Sequence, residues 1–587
     1  MAKKDLLSDK KMSFNEIAKR TLQYAKKERK KFIFAFFLII LNVIFDIVFP
    51  LLTMYLTNQL KLPKETISLS IIIILAISYL ILSLVGQLIL YIENMVLTKA
   101  GQSIIYNLRV EVFSHIENMS QNQFNDMAVG SLVTRVCNYT SQMSDFFTNT
   151  LVNILKNILT IISVYIVMVF ISWKLSLVLL VFVIIVFIIS YYFSKYTKKV
   201  FHEERNVTSE LNTFLNESLS GMKVIQAFNQ EKKSEKQFDE KNNKYKKVKF
   251  KITNAFALYR PLISFIYILS IGTVLYLGTI FKLNAGEIVG FYLYISKFFD
   301  PVQELADKLN NIQRAFTSSE RLLNLMDIKP QILNSNNPVR ITSFKGKIEF
   351  KNVYFAYEEE NWILKNISFV VEPKQTVAFI GSTGAGKTTI LSLIVRNYEI
   401  QKGQILIDDI DIKDIDIEDL RKCVGQMLQD VFLFSGTIKD NITLFDDSFS
   451  EKEIKEACDY VNLTPMIEKL EDGLNTKVIE RGENFSTGQR QLLSFARTVL
   501  HRPQIMILDE ATANIDTETE LIIQSSLEKI KNIGTMLIVA HRLSTIQHAD
   551  NIIVISHGEI IESGNHQQLL KQKGYYYKLY QLQFENK

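Results

Sequence analysis

Long apolar runs dominate the first half of the chain and then stop. Between residue 32 and about residue 310 they recur as blocks of about 20 mostly apolar residues, the length a helix needs to cross the hydrocarbon core of a bilayer. The pattern predicts six such blocks, over residues 32–57, 68–91, 147–171, 175–193, 255–280 and 285–299. Short links join the first block to the second, the third to the fourth and the fifth to the sixth. The other two links run for about fifty residues or more, too long for structureless loops between ordered elements. Within them, residues 111–118 and 209–228 keep a helical apolar spacing. The expectation is that membrane helices continue well beyond the apolar layer and turn there, each turn pressing a short helix against a soluble domain. From residue 347 onward the chain reads as an ordinary soluble domain.

Composition and charge sharpen that division. The 587 residues are 48% hydrophobic, more than a soluble chain of this size carries, and too many for one core. The net charge of +6 matters less than its placement: residues 1–31 hold eleven Lys/Arg against four Asp/Glu. Further basic clusters lie at Lys198-Lys199, at Lys232-Lys233 and over residues 244–251. Beside apolar spans these read as cytoplasmic membrane flanks rather than nucleic-acid contacts. Both termini and both long links then fall on the cytoplasmic side of a cell membrane, which an even number of spans permits. The cysteines Cys137, Cys423 and Cys458 form no C-x-x-C pair and no metal-ligand spacing, and point to a reducing cytosol or a packed core. No short apolar segment with a cleavage site precedes the first block, so that block is expected to be a permanent anchor.

Polar residues interrupt the spans at Asn42, Asp46, Gln87, Asn153, Lys156 and Arg260. A charge in lipid is costly, so such residues face a water-filled cavity or a partner. Asp46, near Phe45 and Phe49, either lines a substrate cavity or pairs with a basic residue on another helix such as Lys156. Lys156 and Arg260, if near helix ends, would snorkel. Pro261 predicts a kink or a helix start in the fifth span.

The second half carries the chemistry. Gly381, Ser382, Thr383, Gly384, Ala385, Gly386, Lys387 and Thr388 spell G-x-x-x-x-G-K-[ST]. Glycines let backbone N–H groups curl around anionic oxygens, Lys387 reaches the β- and γ-phosphates of a nucleotide, and the Thr388 hydroxyl can bind Mg²⁺. An apolar strand over residues 375–380 enters this loop, and a helix over 389–395 leaves it with its positive dipole end toward the phosphates. Farther on, residues 505–508 read as a buried strand that ends in Asp509 and Glu510. Asp509 can hold Mg²⁺ through water, and Glu510 can polarise a water aimed at the γ-phosphate.

Residues 484–491, Asn-Phe-Ser-Thr-Gly-Gln-Arg-Gln, resemble the L-S-G-G-Q segment of ATP-binding-cassette (ABC) proteins. With six spans ahead of it, the whole chain resembles a half-transporter of the ABC exporter type. The resemblance implies a membrane all-α domain of six transmembrane helices with long cytoplasmic extensions, followed by an α/β phosphate-loop ATPase domain. It divides the chain into a basic N-terminal segment (1–31), a transmembrane domain (32–327), a linker (328–346) and a nucleotide-binding domain (347–587). It implies ATP and Mg²⁺ as ligands. Tyr357 matches the aromatic that stacks on adenine, and Thr389 lies in the phosphate-binding stretch. Gln429 matches the glutamine that joins Mg²⁺ and the attacking water to the membrane helices. Glu480-Arg481-Gly482 matches the exporter-specific segment, Ala513 to Asp516 the segment that crosses between subunits, and His541 the histidine at the γ-phosphate. Ser486, Gly488 and Gln489 would contact ATP held by an opposite subunit.

Thr487 departs from the family, which usually has glycine there. Glu510 and His541 are intact. The departure implies a heterodimer, in which this chain supplies the Glu510 half of a competent ATP site and the Thr487 segment of a weaker one. Asp409, where many relatives have glycine, is expected to be neutral. The function implied is ATP-driven export of hydrophobic or amphipathic, multidrug-like solutes. Lipid or hydrophobic-peptide export and a homodimer are the alternatives, and an ATP-gated channel fits less well because a gate needs no fast turnover.

Overall fold

The computed structural model describes residues 12–60, 69–358, 361–427, 431–509, 517–531, 533–539 and 546–584. The chain divides into two compact units. One comprises Met1–Glu117 and Met127–Ile328; the other comprises Asn118–Asp126 and Lys329–Lys587.

The described part of the first unit is helical. Helix α1 (Phe14–Lys27) leads into α2 (Arg29–Leu60) and α3 (Leu69–Glu117). The short helix α4 (Gln121–Asn125) belongs to the second unit. The first unit resumes with α5 (Val129–Ile171), which contains π turns at Arg135–Tyr139 and Phe146–Thr150. Then follow α6 (Trp173–Ser220), α7 (Met222–Ala227), α8 (Glu231–Ile280) and α9 (Ala285–Met326). Helices α3, α6 and α8 run for 49, 48 and 50 residues. At 1.5 Å per residue each is about 75 Å long, more than twice the apolar thickness of a bilayer. The long links are therefore helix extensions, as their spacing predicted.

Five described helices, α2, α3, α5, α6 and α8, are long and apolar enough to cross a membrane. The sixth expected span lies in α9, where Glu287, Lys297, Asp300 and Glu304 dilute the apolar sequence. Its apolar face still joins the bundle: Phe291, Tyr294, Ile295, Phe298 and Phe299 share one buried cluster with Val164, Met168, Leu179 and Ile266. Outward-facing residues such as Leu84, Phe170 and Phe187 are apolar and exposed. A bundle apolar on its outside as well as its inside has lipid as its solvent.

Two expectations for the spans need correction. Asp46 does pair with a basic residue on another helix, but the partner is Lys297 of α9 at 2.5 Å and not Lys156. Lys156 is instead an electrostatic neighbour of Glu93, whose carboxylate accepts a hydrogen bond from Asn42. Pro261 does not start a helix, because α8 runs continuously through it.

The described part of the second unit holds two large sheets and a small antiparallel ribbon that pairs Gly436–Thr437 with Lys477–Val478. Strands β1 (Ile348–Ala356), β2 (Trp362–Val371), β4 (Lys402–Ile407) and β5 (Ile410–Asp411) form an antiparallel sheet in the order β2-β1-β4-β5. The larger sheet uses β3 (Thr376–Ile380), β6 (Val424–Met427), β7 (Ile505–Asp509), β8 (Thr535–Val539), β9 (Asn551–Ser556) and β10 (Glu559–Gly564), in the order β10-β9-β3-β8-β7-β6. All of its pairings are parallel except β9 with β10. Every residue of β3 and β8 is buried, which is why these strands read as unbroken apolar runs rather than alternating ones. The linker is laced to this unit. The Asn334 amide donates to Asp416 at 2.8 Å and accepts from the Ile417 N–H at 2.9 Å, and Val339 bridges to Ile415. Helix α4 is held similarly: Gln123 donates to the Lys329 carbonyl at 2.9 Å and accepts from the Gln331 N–H at 3.2 Å. The first long link thus supplies the short helix that its length predicted. Asp409 has a left-handed φ of +65°, which explains the usual glycine, and its carboxylate pairs with Lys347 at 2.8 Å.

Gly286 makes the contact between α2 and α9 possible. A Cβ there would lie 2.3 Å from the Met54 carbonyl oxygen, and the Gly286 N–H donates to Asn58 at 3.0 Å. Small residues allow such close helix approach in membranes. Gly286→Val is expected to destabilise the protein by about 1–3 kcal/mol, read as a lower thermal unfolding midpoint of the purified protein. Gly272→Ala, whose Cβ meets nothing within 4 Å, should leave the midpoint unchanged or slightly raised.

Candidate nucleotide site

Strand β3 delivers the chain to residue 380, and helix α10 (Lys387–Ile394) opens at Lys387. The loop between them needs its glycines at two points in particular. A Cβ on Gly381 would lie 2.1 Å from the Ile555 carbonyl oxygen, and Gly386 caps α10 with a φ of +103°. The loop folds around the buried Lys387 ammonium, which donates to the carbonyls of Gly381 at 2.8 Å and Ser382 at 2.9 Å. Burial lowers the pKa of Lys387 below the usual lysine range, and the nearby Asp509 carboxylate opposes that shift. Ser382, Thr383, Gly384 and Thr388 are exposed at the mouth, whereas Ala385, Gly386 and Thr389 are buried. An exposed rim of backbone amides and hydroxyls around an enclosed cation suits a phosphate chain.

The parallel sheet brings to one edge the strand ends that precede the other candidates. Val539, the last residue of β8, pairs with Phe379 on one side and Asp509 on the other. On the far side of β7, Met427 at the end of β6 pairs with Leu508. Glu510, His541 and Gln429 lie outside the described residues, as does the 513–516 segment. Yet each follows, within two residues, the carboxyl end of a strand: β7 for Glu510, β8 for His541, β6 for Gln429. Ligands of open α/β sheets bind at this carboxyl edge. The donors offered to Mg²⁺ fit that ion. Thr388 and Asp509 are hard oxygen donors, and among the described residues no group of three or more His, Cys, Asp or Glu is placed to hold a metal ion. Such a set leaves most positions to phosphate oxygens and water, as Mg²⁺ prefers.

An aromatic platform stands beside the loop. Tyr357, just past β1, is exposed, and its hydroxyl lies 3.0 Å from the Thr389 hydroxyl. Its ring meets those of Phe355 and Tyr398 edge-on, at 85° in each case. One ring face is thereby braced for stacking on a planar base. Thr389 serves this brace. Tyr398 had no sequence signal beyond being aromatic; its place beside Tyr357 exists only in the folded unit.

The Ser486 segment forms a separate half-site. Ser486 caps helix α11 (Thr487–Leu500), accepting from the Gln489 N–H at 3.2 Å, while the Gln489 side chain accepts from the Ser486 N–H at 2.9 Å. Gln489 is therefore a capping residue, and Ser486 remains exposed with a hydroxyl proton to donate. Gly488 is buried. Thr487 is exposed, and its hydroxyl accepts from Arg490 at 3.3 Å. Helix α11 packs in the apolar cluster of Phe485, Leu492 and Leu493, whereas α10 packs in that of Ile390, Leu391 and Ile394. The two half-sites stand on different cores. Before α11, Arg481 and Gly482 both have left-handed φ values, of +58° and +69°, which folds the exporter-type segment into a tight turn.

Comparison with known proteins agrees with this architecture. Residues 32–302 match the family model of the ABC transporter transmembrane region, and residues 364–513 match that of the ABC transporter. The chain is 32% identical to the multidrug resistance-like ATP-binding protein MdlB of Buchnera aphidicola subsp. Schizaphis graminum, over 98% of this chain and 99% of that protein. It is also 32% identical to the ATP-dependent lipid A-core flippase of Syntrophus aciditrophicus, over 84% of this chain and 83% of that one. In fold it is similar to a bacterial Atm1-family ABC exporter solved with ATP bound, with a TM-score of 0.78, 24% identity, and coverage of 94% of this chain and 98% of that one. The chain belongs to the ABC exporters, multi-pass membrane proteins in which a transmembrane region is fused to a cassette that couples ATP hydrolysis to transport.

Proposed function

We propose that the chain is one half of a heterodimeric exporter that moves hydrophobic or amphipathic solutes out of the cell across the cytoplasmic membrane. The observation that carries the ATP-site reading is the enclosed Lys387 ammonium beside Asp509 at the carboxyl edge of the parallel sheet. In this reading the loop amides and Lys387 hold the β- and γ-phosphates, and Tyr357 stacks on the base. Thr388, Asp509 and Gln429 would hold Mg²⁺, which offsets charge on the transferring phosphoryl group. Glu510 holds the attacking water and accepts its proton, and His541 contacts the γ-phosphate. Ser486 and Gly488, at a helix N-terminus, complete the site of the opposite protomer. Bound ATP then favours a closed pair of cassettes through contacts made only when closed. The multidrug and lipid names carried by the relatives support an amphipathic solute, as does a charged pair, Asp46 with Lys297, set among apolar spans. The unlike partner is supported by Thr487, whose side chain adds bulk where a γ-phosphate of the other protomer would approach.

Three outcomes test this reading. Glu510→Gln should lower ATP turnover by about 10²–10⁴-fold while ATP binding survives, because only proton transfer is lost; near-normal hydrolysis would remove Glu510 from that role. Tyr357→Ala should weaken ATP binding by about two- to tenfold, the worth of one aromatic stack. Tyr357→Phe, which loses only the bond to Thr389, should stay close to wild type in the same titration. Finally, Thr487→Gly should leave hydrolysis of the co-expressed pair roughly unchanged if this segment faces the weaker site. A large loss, or full activity of the chain purified alone with two equivalent ATP sites, would overturn the heterodimer.

A further inference from the structure

Helix α1 has two faces of opposite character. On the inner face, Phe14 stacks on Phe316 with centroids 4.0 Å apart, and Ile17 and Thr21 are buried. One helical turn along, Arg20 makes a two-pronged bond to Asp327, both contacts at 2.7 Å, and Tyr24 donates to Glu111 at 3.3 Å. Glu28 accepts from Ser103 at 2.5 Å. Positions 14, 17, 21 and 24 recur at three and four residues, so they form one stripe down the helix, and Glu28 follows it as the C-cap. Every contact on it lies within the first unit. The helix is thus fastened rather than trailing as a free arm.

The outer face runs through Lys19, Leu22, Gln23 and Lys26, again at three- and four-residue spacing, and all four residues are exposed. Lys27 is exposed beside it, and Arg29 and Lys30, the first residues of α2, are exposed just past the turn at Glu28. Of the seven basic residues between 14 and 31, Arg20 pairs with Asp327 and Lys31 with Glu28. The other five form no ion pair with any described carboxylate. The apolar stretch of α2 opens at Phe32, two residues past Lys30. Basic groups that pair with no described carboxylate, with one exposed leucine among them, therefore line the approach of the chain to the apolar stretch of α2.

We propose that this outer stripe of α1 is a docking surface for the headgroups of anionic phospholipids in the bilayer the chain crosses. Juxtamembrane lysines are drawn to anionic lipid, their stems lie along the acyl boundary, and Leu22 can enter that boundary. Fixing the helix in advance removes the ordering penalty that a flexible basic tail would meet on binding. The proposal depends on the membrane-spanning character of the chain and not on which solute it exports.

The test uses the full-length protein in bilayer nanodiscs of phosphatidylcholine with a fixed fraction of headgroup-photoreactive phosphatidylglycerol or photoreactive phosphatidylcholine. Lipid adducts are mapped on peptides by mass spectrometry. Peptides covering residues 19–30 should carry about fivefold more phosphatidylglycerol than phosphatidylcholine, the effect of roughly one surface lysine. Peptides covering the apolar span 177–187 should be labelled equally by both. The preference should fall toward parity in high salt and in the triple variant Lys19→Gln/Lys26→Gln/Lys30→Gln, with the span labelling unchanged. Equal labelling of α1 by both lipids in the wild type, or a preference that survives the triple variant, would overturn the proposal.

Discussion

A buried ammonium in a loop of backbone carbonyls is the constraint around which the second unit is arranged. Lys387 opens a helix, so its charge sits at the positive end of a dipole and is disfavoured there unless oxygen atoms surround it. The carbonyls of Gly381 and Ser382 supply two. Reaching them requires the loop to fold back over its own helix, and only backbone without a Cβ passes Ile555 at Gly381. Ile555 belongs to β9, the parallel neighbour of β3, so the loop's shape depends on that strand pairing. On the other flank, β8 spaces β7 from β3 and leaves Asp509 within electrostatic reach of Lys387. Sheet order, glycine placement and the lysine environment are one arrangement seen at three scales.

Much of that arrangement was legible because it is local. A phosphate loop needs a strand before it, glycines within it and a helix after it, and all three are contiguous in the chain. The unbroken apolar runs of β3 and β7 announced buried strands. The spans were legible for the same reason, since about 20 apolar residues in succession admit few other solutions. Legibility weakened where partners are far apart in sequence. Lys297, the partner of Asp46, is 251 positions away, and nothing about Asp46 distinguishes it from Lys156 as a candidate. The bond between Tyr357 and Thr389, and the ring of Tyr398 beside them, depend on bringing the end of β1 over the start of α10. The place of residues 118–126 in the second unit was visible only as the need for a short helix, because composition gives no sign of which unit so short a detour will join.

Helix α9 shows how function blurs a pattern. Its aromatic face packs with α5, α6 and α8 as a spanning helix should, yet Lys297, Asp300 and Glu304 dilute the apolar run. Charged groups are retained in such a place only where partners or water receive them. Asp46 receives Lys297, and Asn157 donates to Glu304 at 3.1 Å. The weakest span by composition is therefore the one with the most polar chemistry, and its far end carries Asp327, gripped by Arg20 of α1.

Thr487 raises the same kind of question at the nucleotide. Threonine is not there to build the helix: Ser486 and Gln489 already form a complete capping box, and the first turn gains nothing from a β-branched residue. Its hydroxyl is bonded to Arg490, which also donates to the carbonyls of Gly482 and Phe485. The side chain is thus tethered to the turn that carries Arg481 and Gly482. Glycine at this position would free that tether and open the approach to α11. A residue that adds bulk at the exposed start of α11, where its capping box is already complete, makes sense where full occupancy of the facing site is not required. On the proposed reading, this exposed side chain marks the weaker of two unlike sites, and the acid after β7 serves the site where turnover is needed.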